Sequence, residues 1–155
     1  MAVNAKQYKA LESRLVIVLR LLSRYEILCN VSLEELLTYL VNPTYEDDVI
    51  ELDNILYNEL LLLHEAAEIC FLKRRGYTIS RNTIMEVYPD TYYAHLEALN
   101  IELAEADKRG EHNWIEKRCR DLKSYLNDPY LPSSLEALVY RLINRYCNRN
   151  SGIKQ

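Results

Sequence analysis

From Thr44 to Arg75 the chain contains neither glycine nor proline, and most of its middle, Ile55 to Leu72, is apolar. A run of that length without turn residues predicts one long helix over about 45–75, roughly 45 Å at 1.5 Å per residue. Thr44-Tyr45-Glu46-Asp47 reads as its start, with acids where the helix dipole favours them. Lys73, Arg74 and Arg75 precede Gly76 as its end. A helix that is apolar nearly all round belongs among other helices, so the segment reads as the spine of a bundle.

The rest of the punctuation agrees. Three Gly and four Pro in 155 residues are too few for the tight turns of a sandwich or barrel. A first helix is expected over about Ala5 to Cys29, where Leu11, Leu15, Val18, Leu22, Tyr25 and Cys29 recur at steps of three and four. Ser32-Leu33-Glu34-Glu35 has the form of a capping box, and Asn42-Pro43 ends the helix that it opens. Residues 77–89 read as a connection with a short helix near 80–87. Asp90 is expected to cap a helix that Gly110 stops, and the next helix, over about 111–127, must fold back on it as a hairpin. Ser133-Ser134-Leu135-Glu136 reads as a second capping box, opening a last helix with Leu138, Val139, Leu142, Ile143 and Tyr146 on its core face. The expected fold is all-α: one helical bundle over 1–155, with about five to seven helices around the 45–75 spine. It ends in an αα-hairpin plus a final helix, and about 1–4 and 149–155 should fray.

Charge and cysteines bound the function. A net charge of −4 demotes nucleic acid as a partner, because phosphate binding usually needs a basic balance or stripe. Cys29, Cys70, Cys119 and Cys147 lie far apart with no CxxC pair, which fits neither a zinc ribbon nor a dense disulfide framework. They read as small buried hydrophobes in a reducing cytosol, although spacing alone does not decide between free and paired thiols. The apolar stretch from Leu15 to Leu22 contains Arg20 and is far shorter than the ~20 residues that cross a bilayer. No cleavable leader pattern opens the chain. The expectation is a cytoplasmic protein without a membrane partner.

The spine carries an anomaly. Glu59, His64, Glu65 and Glu68 interrupt a segment otherwise made of Leu, Ile, Ala, Cys and Phe. A carboxylate inside such a segment must be paired, hydrogen-bonded, metal-bound or protonated. Glu65 and Glu68 are three apart and share a face, and Glu68 lies four from His64. His95 and Glu102, seven apart on the helix near Asp90, share another. If the two helices pack together, His64, Glu65, Glu68, His95 and Glu102 converge as candidate ligands of a divalent metal. Arginine partners across the helices are the competing explanation of the same acids.

The chain has no Glu-x-x-His of the di-iron bundles, and His64-Glu65-Ala66-Ala67-Glu68 ends in Glu where a zinc protease has His. Glu65/Glu68 with Glu102/Glu105 distantly resembles the acid motifs of the MazG-like all-α nucleotide pyrophosphatases, over some forty residues. The doubled leading Glu of that family is missing here, and the final acid, Asp in that family, is Glu105 in this chain. The resemblance implies magnesium and nucleotide pyrophosphate hydrolysis. Ala104, Ala106, Gly110, Ile115, Cys119 and Leu122 loosely resemble one tetratricopeptide unit, but no second copy follows. Arg141, Arg145 and Arg149 form an i, i+4, i+8 stripe, read as a solvated face or a phosphate and nucleic-acid contact. Thirteen Tyr against one Phe suit helix seams and partner surfaces.

Two functions follow. The first is a protein-interaction or structural module, contacting a second copy or a protein partner through its Tyr-rich and Arg-rich surfaces. The alternative is a metal-dependent helical-bundle hydrolase or metal-binding protein built on the Glu/His cluster.

Overall fold

The computed structural model describes residues 2–43 and 51–149. Among these residues the protein is all-α, with eight α-helices and no strand. They are α1 (Ala5–Arg24), α2 (Leu33–Leu40), α3 (Leu52–Tyr57), α4 (Glu59–Arg74), α5 (Thr83–Glu86), α6 (Asp90–Arg109), α7 (His112–Ser124) and α8 (Glu136–Leu142). A 3₁₀ turn follows α7, another precedes α8, and a π turn over Ile143–Cys147 ends the described chain. None of the described helices is long and apolar enough to cross a membrane.

The spine differs from the uninterrupted helix expected over 45–75. Its first residues, 44–50, lie outside those described, and the remainder divides at Asn58 into α3 and α4. Asn58 leaves the helical region (φ −130°, ψ 102°), and its side-chain carbonyl accepts the Leu61 N–H at 3.2 Å. Asparagine is among the best residues for such a cap, so the chain restarts a helix there. The absence of Gly and Pro did not reveal this break. α4 is the buried element: from Leu62 to Leu72 every residue is buried. It packs most extensively on α6. Short side chains on both, Ala66 and Ala67 against a helix bearing Ala94 and Ala98, are fully buried. The pairings Glu59–Arg109, His64–Glu102 and Glu68–His95 descend along α6 as they ascend α4, so the two run antiparallel.

The capping box at Ser32 is present, with Ser32 Oγ accepting the Glu35 N–H and Glu35 accepting the Ser32 N–H. At Ser133 it is absent: the chain winds after Pro132 as a 3₁₀ turn with no side-chain cap. Asp90 is not a cap either, because Arg75 and Tyr77 use its carboxylate. Gly110 stops α6 in the left-handed conformation (φ 70°), as a helix-ending glycine does. α1 ends at Arg24, earlier than expected, where Glu26 enters the left-handed region and turns the chain away. Of the expected frayed ends, Met1 and residues 150–155 lie outside the described residues, while Asn4 caps α1 in a box with Gln7.

The cysteines are not free. Cys29 pairs with Cys70 and Cys119 with Cys147, each with Cα atoms 5.7 Å apart. The expectation of free, buried thiols is thereby corrected: helix packing brings together partners 41 and 28 residues apart, which spacing along the chain does not report.

Candidate metal centre

α4 turns His64 and Glu68 toward α6, one helical turn apart, and α6 supplies His95 opposite them. Glu68 Oε1 lies 2.8 Å from His64 Nε2 and in contact with His95 Nδ1. The two imidazole nitrogens are 3.1 Å apart. Three ligand atoms thus meet at one point. Each is oriented from behind. The Tyr39 hydroxyl, on α2, donates to Glu68 Oε2 at 2.5 Å. The Tyr125 hydroxyl, just after α7, is 2.7 Å from His95 Nε2. His64 Nδ1 lies 2.7 Å from Glu102 Oε2, as an ion pair off the axis of an aligned hydrogen bond.

Glu102 is fully buried and takes a place other than that of a ligand. Trp114 Nε1 donates to Oε1 at 2.7 Å, and the Arg118 guanidinium lies across both oxygens at 2.8 and 3.0 Å. Trp114 and Arg118 are four apart on α7 and reach the seam together. The carboxylate behind His64 is therefore held by a cation and an indole, which satisfies a charge that burial alone would forbid.

Electrostatics follow from these contacts. Burial alone would lower the His64 imidazole, but the Glu102 and Glu68 carboxylates outweigh it and hold its pKa up at about 10. Burial would raise Glu68, yet His95 and His64 hold it well below the usual carboxylate range. His95 is pushed down by burial. Glu102 is lowered against burial by His64 and Arg118. With His64 and Arg118 positive and Glu68 and Glu102 negative, these four groups balance.

Glu65 stands apart. It is 8% exposed and, unlike its neighbours, has no hydrogen bond or ion pair among the described residues, although it lines the same pocket. Burial and the Glu68 carboxylate push its pKa up to about 8.

The ligand atoms form part of the wall of a cavity of about 430 Å³ enclosed by residues of α2, α4, α6 and α7. No family model, curated protein or solved structure matches this chain. The geometry therefore speaks alone.

Of the residues expected at the cluster, His64, Glu68 and His95 meet directly, Glu102 stands behind His64, and Glu65 lines the pocket beside them. Glu105, the last acid of the MazG-like pattern, faces elsewhere: Tyr25 donates to it at 2.6 Å and Arg109 at 2.9 Å. Arg141, Arg145 and Arg149 are exposed and lie outside the cluster. Arg149 pairs with Asp107 at 2.6 Å, and Arg145 lies 5.3 Å from the Tyr146 ring. Sequence reasoning missed Tyr39, Trp114, Arg118 and Tyr125. Arg118 lies on a mostly polar helix, yet its side chain is largely buried. The signal for it was the acid itself, since a buried Glu102 demands a donor.

Proposed function

We propose that this protein is a metal-binding helical domain in which His64 Nε2, His95 Nδ1 and a Glu68 oxygen hold one divalent first-row metal at the wall of the pocket. The observation that carries the reading is the convergence of those three atoms with a carboxylate behind one imidazole. Ligands about 2.0–2.2 Å from a tetrahedral zinc stand roughly 3.3–3.6 Å from one another, so the pairs at 2.8 and 3.1 Å must spread a little and the closer Glu68–His95 pair must spread most to admit the ion. Carboxylate–histidine–metal triads of the Glu102–His64 kind fix the ring and strengthen the ligand. Two imidazoles and one carboxylate favour zinc or iron over magnesium, which turns the reading away from the magnesium chemistry of the MazG-like resemblance. Three protein ligands leave a position open to the pocket, the arrangement in which a metal activates water for hydrolysis.

Isothermal titration with zinc, manganese and magnesium on chelator-treated protein tests it. Zinc should bind at one ion per chain and raise the melting temperature by mass action. Glu68→Gln and His95→Ala should each remove that response. Binding must displace the proton that Glu102 and Glu68 keep on His64, so zinc affinity should rise with pH across the neutral range, with proton release. A parent protein whose melting temperature ignores all three metals would end the metal reading.

A protein partner or a second copy remains the other reading. Leu28 and Tyr57 support it, being 84% and 79% exposed, and sedimentation of the intact protein against Leu28→Ser plus Tyr57→Ser tests it. The two cystines support an oxidising compartment over the expected cytoplasm, because disulfides are rare in reducing cytosol. Mass spectrometry after alkylation of the protein from its native source, finding free thiols, would restore the cytoplasmic reading.

A further inference from the structure

We propose that the pocket beside the metal ligands binds a small organic cation, an amine or a guanidine, through the Glu65 carboxylate. The argument stands without the metal, since it rests on what the other polar groups of the pocket already do. Arg118, the only cationic Lys or Arg side chain on the described wall, is spent on Glu102 and on Asp121, the latter at 3.1 Å. Glu68 is taken by Tyr39, His64 and His95. Asp128 accepts the Tyr92 hydroxyl and the Tyr130 N–H, both at 2.8 Å. Among the described residues two polar side chains of the wall are left over: the Glu65 carboxyl and the buried Thr91 hydroxyl, neither with a hydrogen-bond partner there.

A carboxyl group more than nine-tenths buried, facing a cavity and without a partner among the described residues must either keep its proton or exchange it for a positive group from outside the chain. The rest of the wall suits an organic cation. Tyr39, Tyr92 and Tyr125 line it, and aromatic rings attract ammonium and guanidinium groups while packing against their carbon frames. The volume of about 430 Å³ falls in the range of small-molecule sites. An anionic ligand would meet Glu65, Glu68, Asp121 and Asp128 with no free cation to receive it.

Three probes of one shape and different charge test this: benzylammonium, benzyl alcohol and benzoate, titrated into chelator-treated protein. Benzylammonium should bind at least tenfold more tightly than the other two. Glu65→Gln should lower its affinity to that of benzyl alcohol while leaving zinc affinity within twofold. His95→Ala should lose zinc while keeping the preference for benzylammonium over benzyl alcohol, whatever the change at that part of the wall does to both affinities, so failure of this inference and failure of the metal reading are told apart. Equal binding of the three probes, no binding of benzylammonium, or an unchanged preference in Glu65→Gln overturns the proposal. So does a second zinc per chain that Glu65→Gln removes, which would give Glu65 to an inorganic cation. If circular dichroism shows Glu65→Gln unfolded, the charge series on the parent protein decides alone.

Discussion

Around α1, α2, α3 and α4 the interior is a broad apolar cluster that runs from Leu11 to Leu72 and takes in Ala94, Ala98 and Ile101 of α6. On the other side of α6 a smaller cluster joins Leu96, Leu99 and Leu103 to Cys119 and Leu122 of α7, and to Val139, Leu142, Ile143 and Tyr146 near the end of the described chain. One helix thus serves two cores with two faces, and each core holds one cystine. On a helix of 3.6 residues per turn, His95 and Glu102 fall on the edge between those faces. The contrast teaches where polar chemistry can live in so apolar a bundle. Each core offers little beyond a tyrosine hydroxyl at its rim, but the edge is within reach of Tyr39 on one side and of Trp114, Arg118 and Tyr125 on the other. A charged seam at the junction is stable where the same groups within either core would be prohibitive.

The cystines give the largest expected effect and the hardest test of the two-core description. Closing loops of 41 and 28 residues removes nearly the same chain entropy, about 4 kcal/mol each. Cys29→Ser plus Cys70→Ser and Cys119→Ser plus Cys147→Ser should therefore lower unfolding free energy by similar amounts in urea titrations. Amide exchange should then separate them. Without the second cystine the smaller core should open locally at α8 while α4 stays protected, whereas joint loss of protection in α4 and α8 would show a single core.

Next comes the seam. Arg118→Met leaves the fully buried Glu102 without its cation, and removing one partner of a buried pair costs about 3–5 kcal/mol. The companion change in the dry region, Leu63→Ala, should cost about 3 kcal/mol through the cavity it leaves. Equilibrium unfolding of both ranks them. A cost below about 1 kcal/mol for Arg118→Met would mean that His64 and Trp114 hold Glu102 unaided.

How much of this was legible in the sequence divides along the same line. Helix content, the Ser32 box, the Gly110 stop and the α6–α7 hairpin are local matters, governed by caps and periodicity that a sequence displays. That His64 and Glu68 share a face was legible as well, because i+4 spacing fixes it, whereas the arrival of His95 beside them follows from the packing of α6 on α4, which the sequence left as a condition. What escaped is of two kinds, local choices masked by the residues around them and contacts with neighbours distant in the chain. Asn58 breaks the spine by capping Leu61, a local choice that the apolar run around it conceals. Ser133 resembles a cap, but the turn after Pro132 places it inside a 3₁₀ winding. Arg118 looked solvated because its helix is mostly polar, and only the depth of Glu102 recruits it. The cysteine pairings follow from packing and have no counterpart in spacing.

The smallest effect bears on the one group of the seam that the other charges leave out. Glu65 keeps its proton in the folded protein up to about pH 8, because burial and Glu68 disfavour its charge. In the unfolded chain it loses that proton near the ordinary value of 4.5. Between these limits the folded state binds more protons than the unfolded one, so this carboxyl makes stability fall as pH rises. Its unfavourable contribution is absent below about pH 4.5 and complete above about pH 8. Glu68 acts in the opposite sense: its lowered pKa contributes stability above 4.5 that is lost in acid. His64, raised to about 10, contributes stability below 6.5 that is lost as pH climbs toward 10. Both contributions remain in Glu65→Gln, so the difference between it and the parent reads Glu65 together with its repulsion of Glu68. In chelator, the stability of Glu65→Gln relative to the parent should grow steadily from pH 5 to 8 and then level off, as urea titrations at each pH would read. A difference that stays flat over that range would mean that Glu65 is already ionised and paired in the folded protein, and that the seam has no unbalanced charge.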